Sequence, residues 1–497
     1  MKILLMRPPF ACLRGAGQSP SFPIGIGFIA AVLEQNGFEV KIYHPDNLLT
    51  KQERYFTDEK AIFETRSFSQ KRYVDALRDD KHRAWQELRE TLKEHEPDII
   101  GISVLSPEVG SALKVSSLCK AFDRDCKVVW GGVHPTFLAD DCLKNPAVDF
   151  VVRGEGEHTM LELCQNLRSP DEHLHIKGLS FRSGNSILHN PRRELIKDLN
   201  ELPFPARHLV LYPEAFDKKA MGSIMMSRGC PWRCGFCSSR RLWDKKARFR
   251  SPGNVFDEIR KVVEDFQIKH FMFWDDAFTI NREIIIKYCR TLINSGIGIA
   301  WRTATRADLV DDEILSLMKR AGCVHLDIGI ETGSPRIHEV IKKDVNVQQT
   351  KRAVSLINKN RISSGAFFMA GFPQETKDDL GLTFELMKEI KTTRMAFNVF
   401  DPMPGSELFD TCVQMGLVPA NVDWKNFPYW PDAHYAKNLS EKEFTNIANE
   451  MGAWAFRYNN SFRARLGKVK PFFFALIKRN PLYLTRLVLR AMSQAPR

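Results

Sequence analysis

The sequence predicts an α/β protein built from two successive strand–helix units, and three observations carry that expectation. Apolar strand candidates alternate with helical stretches over residues 1–190. The alternation stops where Pro191, Pro203, Pro205 and Pro213 punctuate a polar stretch, then restarts near Gly222 and runs to about Leu417. At 497 residues the chain also exceeds one hydrophobic core, because single cores stop growing near ~250–300 residues. The expected organisation is a first α/β unit at 1–190, a connector at 191–220, a second unit at 221–418 and a mostly helical, basic extension at 419–497.

The first unit reads as a doubly wound, Rossmann-like fold. Its strand candidates are Lys2–Met6, Val40–Tyr43, Ile99–Val104, Lys127–Trp130 and Phe150–Val152. A charged, helical stretch from about Thr50 to His95 is longer than a crossover between the second and third strands needs. In open α/β sheets ligands bind beyond the carboxyl ends of the strands. Two glycine-bearing loops stand there: Gly131, Gly132, Val133, His134, Pro135 and Thr136 after the fourth strand, and Arg153, Gly154, Glu155, Gly156 and Glu157 after the fifth. No G-x-G-x-x-G follows the first strand, so the dinucleotide fingerprint is missing.

The second unit reads as a partial, TIM-like (β/α)₆ barrel. Its strand candidates are Ser223–Ser227, His270–Trp274, Ile299–Thr303, His325–Ile330, Gly365–Ala370 and Met395–Phe400. Catalytic groups of such barrels gather at the carboxyl ends of the strands. The first end runs into SRGCPWRCGFC, which places Cys230, Cys234 and Cys237 within eight residues. Iron–sulfur clusters are held by thiolates. Three ligands on a [4Fe–4S] cube leave one iron open, as an open position marks catalytic zinc. A zinc knuckle would need a fourth ligand, and no second C-x-x-C pair lies nearby.

The other strand ends are polar as well. Asp275 and Asp276 close the second, where a carboxylate can accept from an ammonium or cap a helix. Arg302 and Arg306 lie on the third, able to clamp a carboxylate or to pair with Asp308. Asp327, Gly329 and Glu331 share one face of the fourth. The fifth enters Gly371, Phe372, Pro373, Gln374, Glu375 and Thr376, and the sixth a rigid loop with Pro402, Pro404 and Gly405.

The C-x-x-x-C-x-x-C spacing, with Phe236 before the last cysteine, resembles the signature of the radical S-adenosylmethionine (radical SAM) superfamily. The resemblance implies that Cys230, Cys234 and Cys237 hold a [4Fe–4S] cluster whose open iron chelates SAM. Reductive cleavage then yields a 5′-deoxyadenosyl radical. It further implies SAM contacts at Phe236, Asp275, Asp276, Arg302, Arg306, Glu331 and Gly371. The segments SFPIGIGFIAAVLEQNGFEV, PDIIGISVLS, GGVHPT and VVRGEGEHT together resemble the cobalamin-binding domain that precedes many radical SAM domains. That resemblance implies cobalamin contacts at Ser103, Leu105, Gly131, Gly132, His134, Pro135, Thr136, Gly154, Glu155, Gly156 and Glu157. The D-x-H-x-x-G motif is absent: Asp171 and His173 share its first spacing, but Ile176 stands at the glycine position. No protein histidine on cobalt is therefore expected. Leu105 either faces the lower side of the corrin or fills core.

The two resemblances together imply a cobalamin-dependent radical SAM enzyme. The expected activity is methyl transfer to an unactivated carbon of a small molecule, with electrons from an external reductant such as flavodoxin or ferredoxin. A cobalamin-assisted cyclase or oxidase, like the anaerobic magnesium-protoporphyrin ester cyclases, is the enzymatic alternative. A cobalamin-binding sensor or scaffold with an inactive barrel is the alternative of another class. A methylthiotransferase fits less well, since Cys12, Cys119 and Cys126 make no second cluster loop.

Composition narrows the setting. Eleven cysteines, an odd number, and no secretory signal point to reduced thiols in a cytoplasm. From Ser461 onward Arg463, Arg465, Lys468, Lys470, Lys478, Arg479, Arg486, Arg490 and Arg497 appear without one acidic residue. They account for nine of the net +12, leaving +3 for the rest and weakening any nucleic-acid reading. The segment PFFFALIKRNPLYLTRLVLRAM reads either as an interfacial helix pair for anionic lipid on the inner membrane face, suiting a lipid-like substrate, or as helices packed on the barrel.

Overall fold

The computed structural model describes residues 1–15, 21–46, 62–216, 218–419, 421–425 and 434–461. Strands β1 (Lys2–Met6), β2 (Glu39–Tyr43), β3 (Ile99–Ser103), β4 (Lys127–Gly131), β5 (Phe150–Val152), β6 (Leu179–Ser183) and β7 (Ser186–His189) form the first sheet. Their spatial order is β2-β1-β3-β4-β5-β6-β7. The first five pair in parallel, as the alternating strand–helix pattern predicts, and β6 and β7 add an antiparallel edge. That hairpin is absent from the sequence expectation. Its turn is Gly184-Asn185, with Gly184 at φ 58°, a two-residue loop whose chemistry favours hairpins. Alternate residues of β1 feed different cores: Ile3 and Leu5 face the helix Ile24–Gln35, while Leu4 and Met6 face the layer containing Trp85 and Val115. Both faces of the sheet are thus covered, and its ligand-binding edge lies at the strand carboxyl ends.

The second sheet contains β8 (Ser223–Ile224), β11 (His270–Phe273), β12 (Ala300–Thr305), β13 (Cys323–Glu331), β14 (Ser363–Ala370) and β15 (Arg394–Val399), hydrogen-bonded in that order and parallel throughout. A short antiparallel pair, β9 (Ser227–Arg228) with β10 (Arg248–Phe249), stands apart at its rim. Strand alternation sorts the barrel. Phe271, Phe273, Trp301, Leu326, Ile328, Ala366 and Phe368 point outward into the apolar core. Met272, Arg302, Asp327, Phe367 and Asn398 alternate with them and point inward. Helices start on the capping residues expected of βα loops: Ser251, Asn281, Asp311, Ser334, Asn346, Thr376 and Ser406 each accept a backbone N–H two or three residues on.

The two units share packing. One apolar cluster runs from Ile3, Phe28 and Leu179 in the first to Ile224, Ile259 and Trp301 in the second. Arg207 of the connector, itself buried, donates to the carbonyls of Met221 and Ser223 and to Glu258 at 2.6 Å. Glu258 also takes the guanidinium of Arg250. The helix Glu441–Asn460 covers the barrel's edge strand, where Asn459 bonds both the N–H and the C=O of Met395. Pairing those groups closes an otherwise open sheet edge. The expected interfacial helix pair lies outside the described residues. Among the described residues no helix is long and apolar enough to cross a membrane.

Glu375 locks the turn after β14. Its Oε2 accepts from Gly371 N at 2.5 Å and Phe372 N at 3.2 Å, and Oε1 is buried without a partner. Burial pushes the carboxyl up to about 8, against the lowering effect of the two N–H groups. The folded state therefore binds more protons than the unfolded state between its unfolded value and about pH 8. Its contribution is fully present below pH ~4.3 and falls by roughly 1.4 kcal/mol per unit as pH rises through that window. Glu375→Gln should flatten the decline: urea midpoints at pH 5, 7 and 9 should converge, and an unchanged slope would contradict this account of Glu375.

Candidate active site

The cysteine loop leaves the rim pair at Gly229. Its φ is 97°, and an added Cβ would lie 2.0 Å from the carbonyl oxygen of Lys246, so no other residue fits. The loop is then tied to the barrel. Gly235 N donates to Ile341 O at 2.7 Å, Leu408 N donates to Gly235 O at 2.8 Å, and Cys237 N donates to Cys234 O at 3.1 Å. Burial pushes the thiols of Cys230 and Cys237 up to about 11 and about 12. Cys234 is raised as well, with Lys343 and Arg306 opposing the rise. Arg306 stands 3.6 Å from the Cys234 sulfur, and a cavity of about 420 Å³ lies beside Cys234 and Cys237.

This donor set fits an iron–sulfur cluster. Among the described residues no three His, Cys, Asp or Glu side chains converge as ligands of a single ion would. A cube distributes three thiolates over three separate irons, and the adjacent cations Arg306 and Lys343 offset the negative charge that deprotonated sulfur brings.

The expected SAM contacts separate into two groups. Asp276 is solvent-exposed, accepts from Ser239 Oγ at 2.9 Å, and lies close enough to Cys230 and Cys237 to influence both thiols. Phe236 and Glu331 also reach this region. Glu331 has φ 71°, and the register of β13 against β14 shifts between Gly329 and Glu331. Such a bulge re-aims the side chain. The carboxylate pairs with Lys343 Nζ at 2.9 Å, both buried, and the same Nζ lies 5.7 Å from the centre of the Phe236 ring. No sequence motif announced Lys343.

The structure places four expected contacts away from the cysteine loop or pairs them within the protein. Asp275 points away from the loop: its oxygens accept from Ser227 N at 2.5 Å, from Ser227 Oγ and from Met226 N at 3.3 Å. Burial pushes it up to about 6 against those bonds, and it anchors β9. Arg302 sits opposite His325, four residues before Arg306, about 13 Å further down the strand at ~3.3 Å per residue. Arg306 is no free carboxylate clamp, because it holds Asp308 at 3.0 and 3.1 Å and Lys343 O at 2.9 Å and stacks over Trp232. Gly371 commits its N–H to Glu375, as described above.

A second cavity, of about 240 Å³, lies at the carboxyl ends of β3, β4 and β5. Ser103, Gly131, Gly132, Gly154, Glu155, Gly156 and Glu157 line it, together with Met225, Arg228 and Trp243 from the barrel unit. It is a cradle that side chains would fill: a Cβ on Gly25 or Gly154 would meet nothing within 4 Å. Thr136 clasps the two glycine loops, donating to Gly132 O at 2.7 Å and accepting from Gly154 N at 3.0 Å. These residues fit the corrinoid expectation. His134, Pro135 and Thr136 do not line the cavity. His134 is buried on the opposite side, 3.0 Å from Ser106 Oγ and edge-on to Trp424, and burial lowers it to about 4. Leu105 does not line it either, and at 40% exposure it does not fill core. His173 packs between Phe150 and Phe181, away from the site.

Glu155 and Glu157 do more than border the cavity. Arg228 sends one arm of its guanidinium to Glu155 Oε1 and the other to Glu157 Oε1, both at 2.6 Å. Arg248 adds 2.9 Å to Glu155 Oε2, and these side chains are all nearly or fully buried. The two loops that would hold the two cofactors are thereby bolted together.

Residues 224–387 match the Radical SAM superfamily and residues 13–164 match the B12 binding domain. The chain carries a radical SAM domain and a B12-binding domain. It is 29% identical over 450 residues to an uncharacterized methyltransferase of Pyrococcus horikoshii, covering 90% of each chain. It is 26% identical to cytidylyl-2-hydroxyethylphosphonate methyltransferase of Streptomyces wedmorensis, covering 93% of this chain and 90% of that one. The anaerobic magnesium-protoporphyrin IX monomethyl ester cyclase of Rubrivivax gelatinosus is 29% identical, over 68% of this chain and 62% of the cyclase. The solved TsrM methyltransferase of Kitasatospora setae, with cobalamin and a [4Fe–4S] cluster bound, shares the fold at a TM-score of 0.67 and 16% identity, covering 92% of this chain and 88% of TsrM. The radical SAM and cobalamin families imply the cofactor set: a [4Fe–4S] cluster, SAM and cobalamin.

The two neighbouring aspartates should part company on substitution. Asp275→Ala leaves buried N–H groups of β9 unpaired and should lower stability by roughly 1–3 kcal/mol. Asp276→Ala should leave stability within about 0.5 kcal/mol and weaken SAM binding. Denaturant titration and SAM calorimetry on reconstituted protein check both; equal stability losses would contradict the assignment.

Proposed function

We propose that this protein, with its radical SAM and B12-binding domains, is a methyltransferase that methylates an unactivated carbon of a small molecule. The observation that supports it best is the shared wall between the sites: Met225, Arg228 and Trp243 of the barrel unit line the cavity whose other wall is the glycine loops of the first unit. When bound, the cluster and SAM supply one-electron chemistry and hydrogen-atom abstraction, and cobalamin supplies the methyl group. The chain's own residues bind and orient. Cys230, Cys234 and Cys237 hold the cluster, Asp276 receives the SAM ammonium, and the Glu331–Lys343 pair presents a fixed carboxylate beside Phe236. Gly131 and Gly154, where an added Cβ would meet no atom closer than 3.7 Å, let the corrinoid approach the backbone closely.

The end-to-end matches to two methyltransferases favour methyl transfer over cyclisation, because the cyclase match leaves over a third of that enzyme unaccounted for. Electrons come from an external one-electron carrier such as flavodoxin or ferredoxin, in the cytoplasm. Anaerobically reconstituted protein, given SAM, hydroxocobalamin and dithionite, should release 5′-deoxyadenosine. A C230A/C234A/C237A variant should release none while retaining hydroxocobalamin. With substrate supplied from extract, the product should carry one added methyl group; a new ring or an added oxygen in place of that methyl group would establish the cyclase or oxidase reading instead.

A further inference from the structure

The cluster loop and the cobalamin cavity meet at one side chain. Arg228 is one residue from Gly229 and two from Cys230. Its fork to Glu155 and Glu157 is buried, with all three side chains 3–4% exposed, and the ring of Phe28 lies 5.1 Å from the guanidinium carbon. All three charged residues line the cavity. A bidentate guanidinium constrains direction as well as distance.

The backbone behind Arg228 has little freedom. Asp275 grips Ser227 N, and β10 pairs Arg248 with Arg228 and Phe249 with Ser227. Gly229, at φ 97°, has no room for a side chain, since an added Cβ would lie 2.0 Å from Lys246 O. On the other side of the fork, Glu155 is held again by Arg248, and its Oε2 accepts from Ile196 N at 2.8 Å. Whatever moves Cys230 therefore moves the fork, and whatever fills the cavity bears on the carboxylates at its other end.

We infer that Arg228 is a positioning residue that couples the two cofactor sites, so that cluster assembly strengthens cobalamin binding and cobalamin binding strengthens retention of the cluster. The coupling follows because one rigid element borders both sites, so that a ligand setting its position at one site sets it at the other. It is reciprocal by necessity. It rests on the reading of the cavity as the cobalamin site and goes beyond it by linking that site to the cluster. It also separates Arg228 from a merely stabilising residue, because a stabilising residue would not make the affinity of one site depend on the other.

Equilibrium dialysis with hydroxocobalamin tests it on full-length protein, anaerobically, with the cluster reconstituted or stripped by chelation. In the native chain the cluster should tighten hydroxocobalamin binding about fivefold or more, the lower end of typical coupling. Arg228→Gln should bring the ratio of the two dissociation constants to within about twofold of unity. Arg228→Lys, which keeps the charge but reaches one carboxylate at a time, should fall between. Should Arg228→Gln fold poorly, Glu157→Gln keeps an acceptor for Arg228 and the Glu155–Arg248 pair, and should also reduce the ratio. A ratio near one in the native chain, or an unchanged ratio in the variants, overturns the inference. No hydroxocobalamin binding in either state of the native chain overturns the cavity assignment itself, and the coupling with it.

Discussion

The fork from Arg228 to Glu155 and Glu157 is the contact on which the relation of the two α/β units depends. Two carboxylates buried beside a cavity need compensation, and the barrel unit supplies it from the strand residue that leads into the cysteine loop. Removing one partner of such a buried set costs about 3–5 kcal/mol, because the other is left uncompensated. A hydrophobic contact of equal strength would hold the units together without fixing their register. The charged fork fixes which loop faces which.

Much of the surrounding chemistry serves to hold that fork still. Asp275, with burial pushing it up to about 6, gives its oxygens to the backbone of β9. Gly229 takes a backbone shape closed to other residues. Arg207 and Arg250 converge on Glu258 under the same corner, so that the connector, the barrel and its first long helix meet at a second buried ion cluster. The cofactor loops are short and glycine-rich, but the frame beneath them is charged and rigid. An enzyme that handles a radical needs its reactants held and water kept away, and a frame of this kind serves both ends.

What could be read from the sequence was local. The cysteine spacing and the glycine pairs at strand ends each lie within a dozen residues, the alternation is a succession of such short signals, and the structure has them where pattern predicts. What could not be read depended on direction or on distance along the chain. Asp275 and Asp276 are adjacent and chemically identical, yet they serve different sides of the strand end. His134 sits in the same loop as Gly132 but turns to the far side of the sheet. Lys343 meets Glu331 only because β13 bulges, and Arg228 meets Glu157 across 71 residues of sequence. The β6–β7 hairpin was legible in Gly184-Asn185, a turn signal overshadowed by the polar stretch around it.

The central claim is that a cluster held by Cys230, Cys234 and Cys237 and a cobalamin held by the glycine loops face one another across a wall containing Arg228. Pulsed electron paramagnetic resonance on protein carrying both the reduced cluster and cob(II)alamin measures this most directly. The account predicts a dipolar interaction between the two paramagnets that is lost when either cofactor is omitted. Two full signals with no interaction between them would contradict it.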